Sequence, residues 1–429
     1  MTYPRQPLRN LLELSIGGIW GKPPGESEVD VRVVRVTELK QGGRLDLSTA
    51  AARSVTKREL EVRRLRPGDL LLEKSGGGPK TPVGRVGLVR DGSELRVCAN
   101  FMQLMRPDPR LVDPRYLHLY LHHLHSIGGT APLQTATTNI RNIKASEYVQ
   151  LDVPMPTLAE QRRIVEILED HLSRLDAADR DLSDCHRRQD AWTKGTLQHL
   201  IWGASQPVTE VSRVLREPMR NGRSDRASNE PNAVRTLTLT AVTKRDFSDT
   251  NTKLTSTSRE IARGLWLQRG DILVQRSNTP ELVGTSARYD GPDDWAIFPD
   301  LLIRLRSDES VMDSRFLAAA LRSERAHRSL RAKAKGLAGS MPKIDQGALG
   351  ATLVPLPPLI DQQTVCMQID EVMAASTRLR DAIVAAQRRG GALRRGVLAA
   401  AFEGKLTGRH TDAEVIEESA AAEPEEGRM

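Results

Sequence analysis

Val153-Pro154-Met155-Pro156-Thr157-Leu158-Ala159-Glu160-Gln161 opens a long polar-apolar run that closes at Thr193-Lys194-Gly195-Thr196-Leu197 and Trp202-Gly203. A second copy opens at Val354-Pro355-Leu356-Pro357-Pro358-Leu359-Ile360-Asp361-Gln362 and closes at Arg394-Arg395-Gly396-Val397-Leu398 and Phe402-Glu403-Gly404. Every pair is 201 residues apart, without a gap. Chance similarity drifts in register over such a length, so the chain carries an internal duplication of about half its length.

Both runs read as helices. Thr157 and Glu160 form a capping box just after Pro156. Leu168, Leu175 and Leu182 fall seven apart, with Ala178, Cys185 and Trp192 three residues after Leu175, Leu182 and Gln189. In the second copy Ile369, Ser376, Ile383 and Val397 occupy the equivalent series, with Val372, Leu379, Ala386 and Leu393 as companions. One narrow apolar seam per helix predicts another helix as its partner. Arg174, Asp176, Asp179, Arg180 and Asp181 read as a solvated face. The 44 residues of 158–201 make a rod of roughly 65 Å, or about two turns of B-DNA.

A mixed region precedes each run. Residues 1–152 hold a β-branched strand over 29–36, Leu70-Leu71-Leu72 after the turn Arg66-Pro67-Gly68-Asp69, and a strand over 83–89. Between the last two lies the Gly/Pro-rich loop Ser75-Gly76-Gly77-Gly78-Pro79-Lys80-Thr81-Pro82. A helix over 114–125 starts on a proline, and the remainder is polar loop. Residues 205–353 repeat this skeleton loosely. Gly270-Asp271-Ile272-Leu273-Val274-Gln275-Arg276-Ser277 answers Gly68-Asp69-Leu70-Leu71-Leu72-Glu73-Lys74-Ser75, and a helix is expected over 313–330. Two units of one architecture with different surfaces suit two different targets.

The net charge is +8, unevenly spread. From Leu406 onward seven acids face two bases, so the remainder carries +13. A body that basic suggests a polyanionic partner, nucleic acid in the simplest case, although arginine-rich composition also serves solubility. The acidic tail, 406–429, is expected to be disordered. No run of apolar residues is long enough to span a membrane and no apolar stretch follows the N-terminus, which predicts a cytoplasmic protein without membrane contact. Cys98, Cys185 and Cys366 have neither an even count nor zinc spacing, and read as small buried hydrophobes.

The two Pro-x-Pro-x-Leu-x-[Glu/Asp]-Gln segments, Pro154 to Gln161 and Pro355 to Gln362, the closing Phe402-Glu403-Gly404-Lys405-Leu406 and the two Gly-Asp strands together resemble the specificity subunit of type I restriction-modification enzymes. The resemblance covers nearly all of the chain except the tail. It departs slightly at Met155-Pro156-Thr157, where Leu-Pro-Pro is usual; Thr157 still supplies an N-cap. It implies an α+β chain: two mixed α/β target-recognition domains separated by two long antiparallel coiled-coil helices in a pseudo-twofold internal repeat. The domains would be 1–153 and 205–353, with spacer helices 154–204 and 354–405. The implied partners are double-stranded DNA and two methyltransferase (modification) subunits, and two restriction (nuclease and translocase) subunits can join. S-adenosylmethionine, Mg and ATP are expected only in those subunits, and no cofactor in this chain.

The chain shows no chemistry of its own. The Asn/Asp-Pro-Pro-Tyr/Phe motif of adenine methylation does not occur, and Pro79 stands where a phosphate loop needs glycine before Lys80. Asp69, Glu73 and Lys74 suggest nuclease carboxylates, yet the second copy has Gln275 and Arg276 at the last two places. A basic residue followed by serine survives duplication, which suits a DNA backbone contact. His122, His123 and His125 read as surface or packing residues. Candidate DNA contacts are Lys74, Ser75, Lys80, Thr81 and Arg85 in the first domain and Arg276, Ser277, Asn278 and Thr279 in the second. A second polar loop offers Gln134, Thr135, Thr137, Asn139 and Arg141, matched by Lys333, Lys335, Ser340 and Lys343. Arginine can pair with guanine and Asn or Gln with adenine; each of these is equally an ordinary polar loop residue. Arg35 and Arg235 are weaker candidates. The expected function is a non-catalytic DNA-specificity subunit. The alternatives are a bipartite DNA adaptor for a different partner, a self-contained nuclease or methyltransferase, and a coiled-coil scaffold.

Overall fold

The structure, a computed structural model, describes residues 3–77, 82–137, 140–203, 206–336 and 341–406; at 41, 136, 137 and 140 it describes the backbone only. Compactness divides the chain into Met1–Ser183 with Val384–Met429, and Asp184–Ile383. The cuts fall inside the long helices, so each unit holds one mixed domain with part of both helices.

Each unit contains the same four-stranded antiparallel sheet. In the first its order is Leu12–Gly17, Met102–Pro107, Leu70–Glu73, Val86–Leu88. In the second it is Arg220–Asn221, Leu302–Leu305, Ile272–Gln275, Ser286–Arg288. The central strand opens with three apolar residues because both its faces are covered. Leu70 and Leu72 join the core around Tyr116 and Leu117, while Leu71 packs with Val34 and Leu104 on the other face. Ile272 and Val274 divide from Leu273 in the same alternation. Gly68 and Gly270 turn into these strands at φ 94° and 99°, a conformation that favours glycine. The expected strand over 29–36 is Val29–Val34, between Ala51–Val55 and Arg96–Cys98. That over 83–89 shortens to Val86–Leu88.

The Val-Pro segment before each long helix is an edge strand. Asp152–Pro154 pairs with Arg5–Pro7, and Leu353–Pro355 with Val208–Glu210, so each proline sits where a missing N–H is tolerated. The helix expected over 114–125 is Pro114–Ser126, capped by the Asp113 carboxylate. Its counterpart departs from the expected 313–330 span. It breaks into Ser314–Arg322 and Glu324–Ala332 at Ser323, whose ψ of 146° ends one helix while its hydroxyl caps the next by accepting from Ala326 N.

The long helices are Leu158–Trp202 and Leu359–Phe402. In the first unit the start of one meets the end of the other: Ile164, Val165 and Leu168 pack in one core with Leu398, Ala401 and Phe402, and Arg394 pairs with Asp176. In the second unit Ile201 shares a core with Cys366 and Ile369, and Asp190 pairs with Arg380 at 3.2 Å. Rising numbers on one helix meet falling numbers on the other, so the pair is antiparallel, and the fold is α+β with an internal repeat.

The seam differs in part from expectation. Leu168, Ile369 and Ile383 are buried, and Leu175, Leu182, Val372 and Leu393 half-buried. Trp192 is 56% exposed and Leu379 44%, so both lie off the seam. The companion residue on the first helix comes four positions after the leading one, not three: Gln189 and Thr193 are buried. They close on Ser376, with Gln189 Nε2 donating to Ser376 O at 2.6 Å and Oγ at 2.8 Å, and Thr193 Oγ1 to Ser376 Oγ at 3.1 Å. A hydrogen-bonded polar layer of this kind is satisfied in one register only.

Candidate nucleic-acid interface

In each unit the central strand runs out of the sheet toward a second polar segment far away in sequence. After Leu70–Glu73 the chain re-forms as Ser75–Gly77 and pairs with Ile140–Ile143, which pairs with Gln134–Thr137. What reads in sequence as a polar loop is thus a hairpin, held by Ile143 N donating to Lys74 O at 2.8 Å. The second unit keeps a reduced version: Ile344 N donates to Arg276 O at 2.8 Å, and Lys343 bridges both Ser277 and Lys335. The two lists of candidate contacts therefore converge: Lys74 and Ser75 with Gln134, Thr135 and Arg141, and Arg276 to Thr279 with Lys333, Lys335 and Lys343. Lys80, Thr81, Asn139 and Ser340 lie outside the described residues, and of Thr137 only the backbone is described.

Their roles differ. Thr135, Thr279, Lys333, Lys335 and Lys343 are exposed. Lys74, Ser75 and Arg276 are half-buried, and among the described residues the Lys74 ammonium has no hydrogen-bond or ion-pair partner. Others hold the loops. Gln134 Nε2 donates to Val83 O at 3.2 Å and Arg141 Nη1 to Gln134 Oε1 at 3.3 Å. Asn278 Nδ2 donates to Gln275 Oε1 at 2.6 Å while its Oδ1 accepts from Thr279 N at 2.8 Å. Lys333 Nζ donates to Ala351 O at 3.0 Å.

Several expectations are corrected. Ser277 is 1% exposed, with its backbone in the bridge to Lys343 and its hydroxyl turned away from solvent. Arg85 grips buried Glu73 through Nε at 2.7 Å and Nη2 at 2.8 Å and donates to Leu39 O, so its fork is already filled; the Glu73 hydrogen bond raises its pKa above the ordinary arginine value. Arg35 is paired with Glu38, and Arg235 with Asp249 beneath the Trp295 ring. Asp69 and Asp271 are structural. Each is buried against an arginine, Arg106 at 2.7 and 2.8 Å and Arg306 at 2.7 and 3.2 Å, and accepts the backbone N–H of Arg66 or Gln268. Among the described residues no group of three His, Cys, Asp or Glu could hold a metal ion.

Sequence reasoning did not find the joints between domain and helix. Gln161, fully buried, accepts Asp113 N at 2.8 Å and donates to Pro156 O at 2.9 Å. Gln362 accepts Asp313 N at 2.8 Å and donates to Pro357 O at 2.8 Å and Val311 O at 3.0 Å. The closing aromatic of each helix is the other joint. Phe402 packs its ring on Tyr116, Tyr120 and His123 at 5.2 to 5.6 Å, and Trp202 Nε1 donates to Ser323 Oγ at 2.8 Å beneath the Arg325 guanidinium. The repeated glutamine and the closing aromatic were the available signal. His123 and its neighbours are packing residues, not surface ones: burial lowers the pKa of His123 and His125.

No family model matches the chain. Among curated proteins it is 26% identical over 365 residues to the type I restriction enzyme StySPI specificity subunit of Salmonella potsdam, covering 81% of this chain and 76% of that one. The EcoKI specificity subunit of Escherichia coli K12 is 23% identical over 366 residues with the same coverage. The chain is a relative of the type I restriction enzyme specificity subunits. Both relatives are specificity subunits of these enzymes. Solved structures agree on the fold of this specificity-subunit relative. One, from a study of complex assembly and conformational transition of the type I R-M system, matches at TM-score 0.73 and 17% identity over 94% of this chain and 98% of that one. The HsdS subunit of Thermoanaerobacter tengcongensis matches at 0.58 and 17% over 94% and 97%. Among the described residues no helix is long and apolar enough to cross a membrane.

Proposed function

We propose that the chain is the DNA sequence-specificity subunit of a type I restriction-modification complex, reading a bipartite target through two recognition domains, 1–153 and 205–353. The observation that carries this reading is the repeated basic edge. Lys74 and Arg276 leave equivalent strands and meet equivalent partners at Ile143 and Ile344, yet the side chains around them differ. One scaffold with two surfaces suits two half-sites, with each mismatched base pair costing roughly 1 to 3 kcal/mol. The segments 154–204 and 354–405 act as spacer helices that set the gap and offer a frame to two methyltransferase subunits and, where present, two nuclease subunits. The chemistry, with S-adenosylmethionine, Mg and ATP, belongs to those subunits.

Co-expression with a methyltransferase partner followed by mapping of methylated adenines tests this. A two-part motif is expected, and exchanging 205–353 for the equivalent region of a relative should change one half only. A motif without two separated halves overturns the reading. Bipartite DNA binding without a co-purifying methyltransferase would instead assign the chain to an adaptor for a different partner.

A further inference from the structure

The second unit contains an open cavity of about 310 Å³ between its domain and its helix segments, lined by Arg245, Arg288, Arg315 and Arg322, with Phe247 and Ile369 at its apolar side. Two acids belong to it. Asp370 is paired with Arg315, and Asp290 is exposed. Among the described residues neither Arg245 nor Arg322 has an ion pair or a side-chain hydrogen bond, and Arg288 donates only to Ser314 Oγ, at 3.1 Å. Arg245 and Arg322 are both exposed. Desolvation, then the like charge of Arg245, push the pKa of Arg322 down to about 10, with Asp370 acting in the opposite direction.

The first unit shows how the same place looks when closed. Counted from the capping residues Asp113 and Asp313, Ala318, Ala319 and Arg322 correspond to His118, Leu119 and His122. Arg288 corresponds to Leu88, since each faces the first residue of its central strand. There the rings of His118 and His122 stack at 6.3 Å, and burial pushes both imidazoles down to about 4, so neutral side chains fill the space. In the second unit two methyl groups replace the bulk and two guanidiniums, Arg288 and Arg322, replace neutral groups. Like charges gathered around an open cavity repel one another, and a bound anion relieves that repulsion.

We propose that this cavity binds one or more phosphoryl groups that together carry at least two negative charges. Guanidinium forks match phosphoryl oxygens in pairs, and among the described residues three that line the cavity, Arg245, Arg288 and Arg322, have no ion pair, so it stays cationic although Asp290 and Asp370 also line it. The volume lies at the small end of the range for ligand pockets, which admits pyrophosphate or a mononucleotide. The group comes either from a free phosphorylated molecule or from the backbone of DNA, and the two sources separate experimentally.

The full chain is titrated calorimetrically with pyrophosphate and AMP, and separately with duplex DNA in phosphate-free buffer. Arg322→Gln is expected to weaken pyrophosphate binding at least tenfold, and Ala318→His with Arg322→His, which places the first unit's two histidines there, to abolish it. If duplex affinity stays unchanged in both variants, the ligand is a free phosphorylated molecule. If instead duplex affinity falls tenfold and pyrophosphate competes with the duplex, the phosphoryl group is that of DNA. Should Arg322→Gln lower the melting temperature so far that the chain is unfolded at the assay temperature, Arg245→Gln replaces it with the same expected loss. Absence of pyrophosphate and AMP binding to the wild-type chain together with duplex affinity unchanged in the variants overturns the proposal. So does pyrophosphate binding that the variants leave intact.

Discussion

Replacing Gln161 by leucine keeps the size of the side chain and removes its amide. The loss leaves Asp113 N–H and Pro156 C=O without their partners at a position with no solvent exposure. A buried polar group deprived of its partner costs about 1 to 3 kcal/mol, so the substitution is expected to destabilise by roughly 2 to 5 kcal/mol. Gln362→Leu orphans three groups, Asp313 N, Pro357 O and Val311 O, and should cost about 1 kcal/mol more. For units of this size a loss of 1 kcal/mol lowers the melting temperature by about 2 to 4 °C, which puts Gln161→Leu roughly 4 to 20 °C below wild type. Differential scanning calorimetry with urea denaturation of the full chain measures both. Leucine variants within about 1 °C of wild type would refute the reasoning, because the glutamines would then be spectators of the joint. Glutamate provides a second check. Gln161→Glu cannot donate to Pro156 O and brings a buried charge, so it should be worse than leucine.

Acid should also weaken the first unit. Burial holds His118 neutral, with its pKa pushed down to about 4, against roughly 6.5 when unfolded. Its contribution is therefore complete above pH 6.5, disappears as pH falls toward 4, and amounts to about 3 kcal/mol; melting temperatures from pH 7 to 4.5 should fall less steeply in His118→Phe. Lys74→Ala should weaken binding about equally on all DNA sequences and reduce the slope of log affinity against log salt by about 1, and a change confined to one sequence would contradict a backbone contact. Shortening both long helices by seven residues at the level of the Asp176 and Arg394 pair keeps the seam in phase, so methylome mapping should show an altered gap with unchanged half-sites.

The duplication was legible because a gapless 201-residue offset is a property of the string. From it followed the two long helices, the two mixed domains and their equivalence. The Gly-Asp motif was found but not understood. Asp69 and Asp271 could be read as catalytic until Arg106 and Arg306, more than 30 residues away, closed on them. The candidate contacts fared unevenly for the same reason. Arg85 and Lys74 are both basic residues near one loop, and only the position of Glu73 decides that the first is occupied.

Periodicity and local chemistry determined the elements of this protein: heptads for the long helices, an apolar run for the doubly covered strand, prolines for the helix starts. These signals act within a few residues, where backbone geometry alone sets which side chains share a face. Tertiary structure decided the rest. It set the antiparallel register through Gln189, Thr193 and Ser376, moved Trp192 and Leu379 off the seam, and joined Ser75 to Asn142 as strand partners. Such pairings depend on which distant groups satisfy each other's hydrogen bonds and charges, and a linear sequence does not specify that until the chain has closed on itself.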